Sequence, residues 1–213
     1  MVFKDRGIVL REINVGESDK MITLLLCERG KINVSARGAR NPKSKFAAAQ
    51  PFCVSEYVIF EGGGFFSLTQ ASLLESYYSL SQNPERYAHA CAMTELADQL
   101  IFPEMPALSV LRLLSRGLKK LCREDSPPVV TGAAFALRLL YEEGYFAQTP
   151  EFARKLCGAG AQALRYILEA DQSAVYSFSL TQNAGEELFS AVHGFIRRQT
   201  EIKLKSLELL GEL

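Results

Sequence analysis

The stretch KINVSARGARNPKSKFAAAQPF, residues 31–52, decides the fold. Apolar and polar residues alternate over its first seven positions, which is the period of a half-buried β-strand. The apolar set is Ile32, Val34 and Ala36, and the polar set is Asn33, Ser35 and Arg37. The alternation predicts a strand with one face in a core and one face open to solvent.

The same stretch then becomes basic. Its four cations are Arg37, Arg40, Lys43 and Lys45. No Asp or Glu occurs between Arg29 and Ser55, although the chain of 213 residues carries 24 basic and 24 acidic side chains. A net charge of zero gives no overall attraction to a polyanion, so any affinity for one must be local. Charge spacing alone leaves two interpretations equally open, a soluble hairpin loop and a binding site for an anion.

Short strands flank this stretch on both sides. An apolar segment at Ile8-Val9-Leu10, another at 21–27, an aromatic and β-branched segment at 52–60, and a final one at 65–74 all read as strands. The glycines at 62–64 join the last two as a hairpin turn. Five short strands within about seventy residues are typical of a small barrel, because closure hides the strand edges.

A helical pattern replaces the strands after residue 80. Three dipeptides resemble helix starts, with a capping residue before a proline: Asn83-Pro84, Ser126-Pro127 and Thr149-Pro150. A helix beginning at Pro106 carries an apolar stripe and a basic stripe, and Gly144 ends the next one. The sequence therefore predicts an α+β chain of two domains, a five-stranded barrel over 1–80 and an all-α domain over 81–213.

Enzymatic chemistry finds no support in the sequence. The only histidines, His89 and His193, lie on predicted helices away from any motif, and no nucleophile, metal-protease or phosphate-loop motif occurs. The five cysteines are scattered without a CxxC pair, which predicts thiols in a reducing compartment. The N-terminus is not a signal peptide and no apolar run is long enough to span a membrane, so we expect a cytoplasmic protein without a membrane partner.

The sequence offers two further binding features. Small barrels bind single strands by stacking bases on aromatic rings, and Tyr57, Phe65 and Phe66 are candidates, with alternation placing the two phenylalanines on opposite faces. The basic helical stripe, which contains Arg112 and Arg116, is either a solvated surface or a dock for an acidic peptide.

Residues 7–76 contain a series of collinear motifs: Gly16-Glu17-Ser18-Asp19-Lys20, Gly38-Ala39-Arg40, Pro42-Lys43-Ser44-Lys45, Gln50-Pro51-Phe52 and Leu68-Thr69-Gln70-Ala71. Together these motifs resemble the N-terminal domain of the RecO family of bacterial recombination mediators. Residues 135–145 and Leu204-Lys205-Ser206-Leu207 also resemble the family.

The resemblance implies an OB-fold barrel, binding of single- and double-stranded DNA, and annealing of complementary strands, with a location at the nucleoid. It also implies RecR as a partner, docking to the acidic C-terminal tail of single-stranded DNA-binding protein (SSB), and help in loading RecA. Carried over to this chain, the DNA-contacting residues are Arg37, Arg40, Lys43 and Lys45, with Lys20 and Lys31 as weaker additions. Candidates for the tail are Arg112, Arg116 and Arg138.

One departure from the family concerns zinc. Many members carry a four-cysteine module after the segment matching Gly144-Tyr145, whereas this chain has only Cys157 near 146–158, and one cysteine cannot build a structural zinc site. We therefore expect no metal and no other cofactor. The resulting hypothesis is a non-enzymatic DNA-binding and annealing mediator of recombinational repair. The alternative is a protein-interaction adaptor whose barrel has no direct role on DNA.

Overall fold

The computed structural model describes residues 1–41, 44, 46–146, 151–156, 158–200 and 202–210. The chain folds into two compact units. The first comprises Met1–Tyr78 together with Leu100–Arg112, and the second comprises Ser79–Gln99 together with Leu113–Leu213. No helix in the described ranges combines the length and apolar character needed to cross a membrane.

Five strands form the first unit. They are β1 (Val2–Val15), β2 (Asp19–Leu26), β3 (Gly30–Ala36), β4 (Cys53–Gly62) and β5 (Phe65–Ser76). They close into a barrel in the order β1-β2-β3-β5-β4, antiparallel except for a short parallel pairing of β3 with β5. The prediction of a five-stranded OB-fold barrel followed by helices is confirmed. Strand β1 is much longer than predicted, because the sequence pattern had indicated only the three apolar residues Ile8-Val9-Leu10.

Alternation along β3 builds the barrel core. Ile32, Val34 and Ala36 are 4%, 0% and 0% exposed. They pack in one cluster with apolar side chains from every other strand. Burial of these side chains removes apolar surface from water, which is the main favourable contribution to folding. The predicted inward face of β3 is therefore confirmed.

The three-glycine segment is a hairpin turn, as its position between two strands indicated. Gly62 pairs with Phe65, and Gly63 and Gly64 between them have φ values of 62° and 78°. Two consecutive residues with positive φ match the twist of the flanking strands and favour glycine.

Residues 100–112 begin at the last residue of the first helix, but they pack with the barrel. The Glu104 amide donates to the Lys31 carbonyl oxygen at 3.2 Å, and the Ala107 amide donates to the Cys27 carbonyl oxygen at 3.3 Å. Gly30 has a φ of 64°, and a Cβ there would overlap the Met105 carbonyl oxygen. The turn between β2 and β3 is thus covered closely by this segment.

The second unit is helical. Its helices are α1 (Pro84–Leu100), α2 (Leu108–Leu121, whose first five residues belong to the barrel unit), α3 (Pro128–Glu142), α4 (Gly158–Glu169) and α5 (Gln182–Gln199), with 3-10 turns at Tyr78–Gln82, Glu151–Lys155 and Lys205–Leu210. Helix α3 is the central one, because it is buried along almost its whole length and packs against α4 and α5. A helix that is apolar on all sides is expected in such a position.

The predicted helix starts had different outcomes. Asn83 caps α1, since its Oδ1 accepts a hydrogen bond from the Arg86 amide at 3.0 Å. Ser126 does not cap α3, so that prediction is wrong: the N-cap is Pro127, and no side chain accepts a bond there. Helix α2 begins at Leu108 rather than Pro106. Thr149 and Pro150 lie outside the described residues.

Candidate nucleic-acid interface

The outward side of β3 carries a polar row. Lys31, Asn33 and Ser35 follow one another on this side, and Arg37 continues the row directly after the strand ends. Asn33 and Arg37 are exposed and the other two are half-buried. With a rise of 3.3 Å per residue, the row spans about 20 Å between its two cations. The Thr23 hydroxyl on the neighbouring strand donates to Asn33 Oδ1 at 2.8 Å and fixes the middle of the row.

The loop that follows β3 is held by the turn between β1 and β2. The Gly38 amide donates to Asp19 Oδ1 at 2.8 Å, and the Arg40 amide donates to the Ser18 carbonyl oxygen at 2.9 Å. Arg40 Nη1 also donates to the Gly16 carbonyl oxygen at 2.6 Å. Hydrogen bonds from Gly38 and Ser18 to Asp19 lower the pKa of this carboxyl, so it stays ionised. Sequence reasoning treated Asp19 as a turn residue only, but it positions the start of the basic loop.

A polar cleft of ≈ 460 Å³ lies beside the loop. Its lining includes Glu12, Lys20, Arg40, Asn41 and Ser44. Lys20 Nζ is 2.7 Å from Glu12 Oε1, and both side chains are largely shielded from solvent. Glu12 Oε2 is buried without a hydrogen-bond partner among the described residues.

The fold therefore brings acids to a region that contains none in sequence. Lys20 is paired with Glu12, and Arg37 lies close enough to Asp19 to lower the pKa of its carboxyl. Arg37 and Arg40 are both exposed and present their charge on the surface. Two further cations predicted for this site, Lys43 and Lys45, lie outside the described residues.

The structure separates the three aromatic candidates. Tyr57 is 0% exposed and belongs to the core, so the suggestion that it stacks on a base is wrong. Phe66 is half-buried against the core cluster and contacts Phe3 edge to face, with ring centroids 6.3 Å apart. Phe65 is 52% exposed. The opposite orientation of the two phenylalanines agrees with the alternation.

The three arginines assigned to an acidic peptide occupy different environments. Arg112 is exposed and Arg116 is half-buried on α2. Arg138 Nε is 2.7 Å from Glu142 Oε1, and its side chain is only 12% exposed. Arg138 Nη1 donates to the carbonyl oxygens of Ile167, Leu168 and Ala170 at 3.0, 3.3 and 2.9 Å. Arg138 thus stabilises the C-terminal end of α4, where a cation is favoured.

A second cleft, of ≈ 360 Å³, lies within the helical unit. It is lined by His193, Arg197, Lys203, Leu204 and Leu207. Burial and the neighbouring Arg197 lower the pKa of His193. The cleft combines two cations with apolar side chains. Arg197 lies on α5, whereas Lys203 and the two leucines follow the end of that helix, so no helical periodicity in the sequence connects the lining residues. The resemblance at 204–207 was the only sequence signal for this region.

Glu95 on α1 fixes the segment that forms one side of this cleft. Its Oε1 accepts the Lys205 amide at 3.0 Å, and its Oε2 accepts the Ser206 amide at 3.0 Å and the Ser206 hydroxyl at 2.6 Å. A carboxylate that accepts hydrogen bonds from backbone amides at the start of a helical turn acts as the N-terminal cap of that turn.

The described residues contain no group of three or more His, Cys, Asp or Glu side chains placed to hold a metal ion. His89 is 2% exposed and lies 5.2 Å from the Phe189 ring, and burial lowers the pKa of His89 to about 4. The four described cysteines are free thiols, and Cys157 lies outside the described residues.

The barrel topology, the following helices and the outward polar row define the chain as an OB-fold protein with a helical extension. The family model described as "Recombination protein O N terminal" matches residues 1–77, and "Recombination protein O C terminal" matches residues 81–155. Among similar proteins, DNA repair protein RecO of Exiguobacterium sibiricum is 34% identical over 227 residues, covering 100% of this chain and 89% of the relative. DNA repair protein RecO of Acetivibrio thermocellus is 27% identical over 242 residues, covering 99% and 96%. The chain belongs to the RecO family of DNA repair proteins.

Proposed function

We propose that this chain binds DNA through the outward row of β3 and the loop beginning at Arg37. We further propose that it anneals complementary strands as a mediator of recombinational repair, with RecR and SSB as partners and RecA loading as the outcome. The observation that carries the proposal is the row itself. Lys31 lies near the start of β3, Arg37 directly follows its end, and hydrogen bonds hold the backbone of Arg40 just beyond. The partners rest on membership of the family.

Binding by this surface is electrostatic. Each cation that neutralises a phosphate releases a counterion, so the logarithm of the binding constant falls by about 0.7 per contact for each unit of log salt on a single strand. The row offers few groups for reading base edges in a groove, so we expect little sequence preference.

Annealing follows from the same contacts. Two strands repel each other through their phosphates, and cations held in place by the barrel reduce that repulsion while the bases pair. No covalent bond forms or breaks, so the proposed activity needs no catalytic group or cofactor.

Docking of an acidic tail requires cations, and apolar surface beside them adds buried contact area. In the helical unit, the cleft at Arg197 and Lys203 meets this requirement, because Leu204 and Leu207 lie beside the two charges. Arg112 and Arg116 remain candidates for binding the tail. The guanidinium of Arg138 already donates to carbonyl oxygens at the end of α4 and pairs with Glu142.

The test is oligonucleotide binding and annealing measured over a range of salt concentrations. Arg37→Glu is the informative variant, because the Arg37 side chain is exposed and its removal leaves the Asp19–Gly38 anchor in place. Arg40→Glu is less informative alone, since Arg40 also donates to Gly16. Arg165→Glu, an exposed change of equal charge on α4, is the control.

We expect Arg37→Glu to weaken binding, slow annealing and flatten the salt dependence by about one phosphate contact. The control should behave as the unmodified chain. If the unmodified chain binds no oligonucleotide at low salt, the DNA-binding proposal fails and the adaptor alternative is favoured.

A further inference from the structure

Two exposed phenylalanines lie at the hairpin between β4 and β5. Phe60 is 42% exposed and Phe65 is 52% exposed. Phe60 pairs with Ser67 and Gly62 pairs with Phe65, so the two rings are diagonal neighbours on the outer side of the barrel. Diagonal neighbours across two strands lie within reach of aromatic side chains. Single large apolar side chains in solvent are common, whereas two of them close together on one face form a small apolar patch that can serve as a binding surface.

Glycines support both rings from beneath. A Cβ on Gly62 would lie 2.7 Å from Phe60 Cζ, and a Cβ on Gly63 would lie 2.9 Å from Phe65 Cε1. Each ring therefore lies against a glycine, where no side chain displaces it. The rest of the ring is open to solvent. A ring that already lies against backbone loses little conformational entropy when a flat group covers its open side.

Phe65 belongs to the same outer face as the polar row of β3. Ser35 pairs with Ser67 in the parallel pairing of β3 with β5, and Val34 pairs with Phe66. Extending that register by one residue places Phe65 beside Asn33, two residues from Ser35 and four from Arg37. The side chains between Phe65 and Arg37 are small and polar, which leaves room for an extended chain to approach the sheet.

We propose that Phe65, with Phe60 beside it, is a stacking platform for a nucleobase of single-stranded DNA whose phosphates lie along Lys31, Arg37 and Arg40. The inference rests on the proposed DNA-binding function and specifies which form of DNA the surface takes. Charge complementarity selects the ligand, because cations flank the ring at both ends of β3. A paired base in a duplex has no open face for the ring, whereas every base in a single strand has one.

The exposed apolar surface of the hairpin continues toward β1. Val2 pairs with Phe60 and is 60% exposed, so a protein partner would use the side of the hairpin toward β1. The side toward β3 carries Asn33, Ser35 and Ser67, which suit a nucleotide better than an apolar partner. Phe65 lies on β5, the strand that pairs with β3, and it is therefore the residue to change.

The experiment compares the full chain with Phe65→Ala, Phe65→Tyr and Leu73→Ala. Leu73 is 54% exposed on the same strand and is the matched control. Binding to a mixed-sequence single-stranded oligonucleotide and to a duplex of the same length is measured by fluorescence anisotropy at several salt concentrations. Loss of one base-stacking contact weakens binding by roughly 5- to 150-fold, and the open setting of Phe65 places the expected effect near the lower end.

We expect Phe65→Ala to weaken binding of the single strand about fivefold or more and to leave duplex binding and the salt slope unchanged. Phe65→Tyr should restore binding because it retains the ring, and Leu73→Ala should have no effect. Equal weakening for single strand and duplex, or none for either, overturns the stacking platform. If Arg37→Glu still weakens binding in that case, the proposed function stands without it. If the unmodified chain binds no DNA, both the stacking platform and the proposed function are rejected.

Discussion

Arg138 provides a direct test of whether a predicted peptide contact is a structural residue. The change is Arg138→Met, which keeps most of the length and apolar volume of the side chain. It removes the ion pair with Glu142 and the bonds to Ile167 and Ala170 at the end of α4. Breaking a buried ion pair costs about 3–5 kcal/mol because it leaves an uncompensated charge. The side chains of Arg138 and Glu142 are 12% and 18% exposed, so we expect about 3 kcal/mol.

That loss of unfolding free energy corresponds to a melting temperature lower by roughly 6–12 °C for a chain of this size. Far-UV circular dichroism in urea reports on the helices and gives the change in midpoint. Arg165→Met on α4 is exposed and serves as the control, with a change of no more than about 0.5 kcal/mol. Combining Arg138→Met with Glu142→Met should recover part of the loss, since the negative charge that Arg138 neutralises is then removed as well.

An Arg138→Met variant as stable as the unmodified chain would refute this account of the α4 end. The guanidinium would then be available to a ligand, and the peptide hypothesis would regain it. A destabilised variant that binds an acidic peptide normally at low temperature would instead confirm a structural role.

Two other predictions concern the helical unit. Burial lowers the pKa of His89 to about 4 from an ordinary 6.5, so the unfolded chain takes up a proton between these values while the folded chain does not. The free energy of unfolding should therefore fall by up to about 3 kcal/mol as pH drops from 6.5 to 4; His89→Gln should reduce this loss in urea titrations, and an unchanged pH profile would contradict it. For the acidic tail, Arg197→Glu should weaken binding of an acidic peptide more than Arg112→Glu, as measured by calorimetry; the reverse order would move the tail to α2.

The strand pattern predicted the barrel because local and global preferences agree there. Alternation at 32–36, glycines at 62–64 and apolar segments of strand length each indicate the same closed sheet, and the structure satisfies all of them. Helix starts were less reliable. Ser126 has the right residue type for a cap, but its side chain accepts no bond from α3, because two prolines in succession shift the helix start to Pro128. Propensity at a helix end is weak compared with the packing of a central helix such as α3.

The candidate site was predictable only where it follows one strand. Alternation along β3 predicts that Arg37, the first residue after the strand, continues its outward row, and Arg40 follows in the same loop. The contributions of Glu12 and Asp19 depend on the pairing of β1 with β2 and on the path of the loop after β3, which no local pattern specifies. The cleft at Arg197 and Lys203 likewise depends on Glu95, more than one hundred residues earlier in the chain, and such a contact is invisible to periodicity.

The acids near the basic loop change how its charge should be counted. Counting cations in sequence assigns one phosphate to each of Lys20, Arg37 and Arg40. In the structure Lys20 is paired with Glu12 at 2.7 Å, and a phosphate must compete with that carboxylate. Asp19 cannot simply be removed to increase the positive charge, because its carboxylate holds the Gly38 amide and thereby the path of the loop. One negative charge thus fixes the positions of the positive ones, and the salt slope of DNA binding should be smaller than the number of basic residues implies.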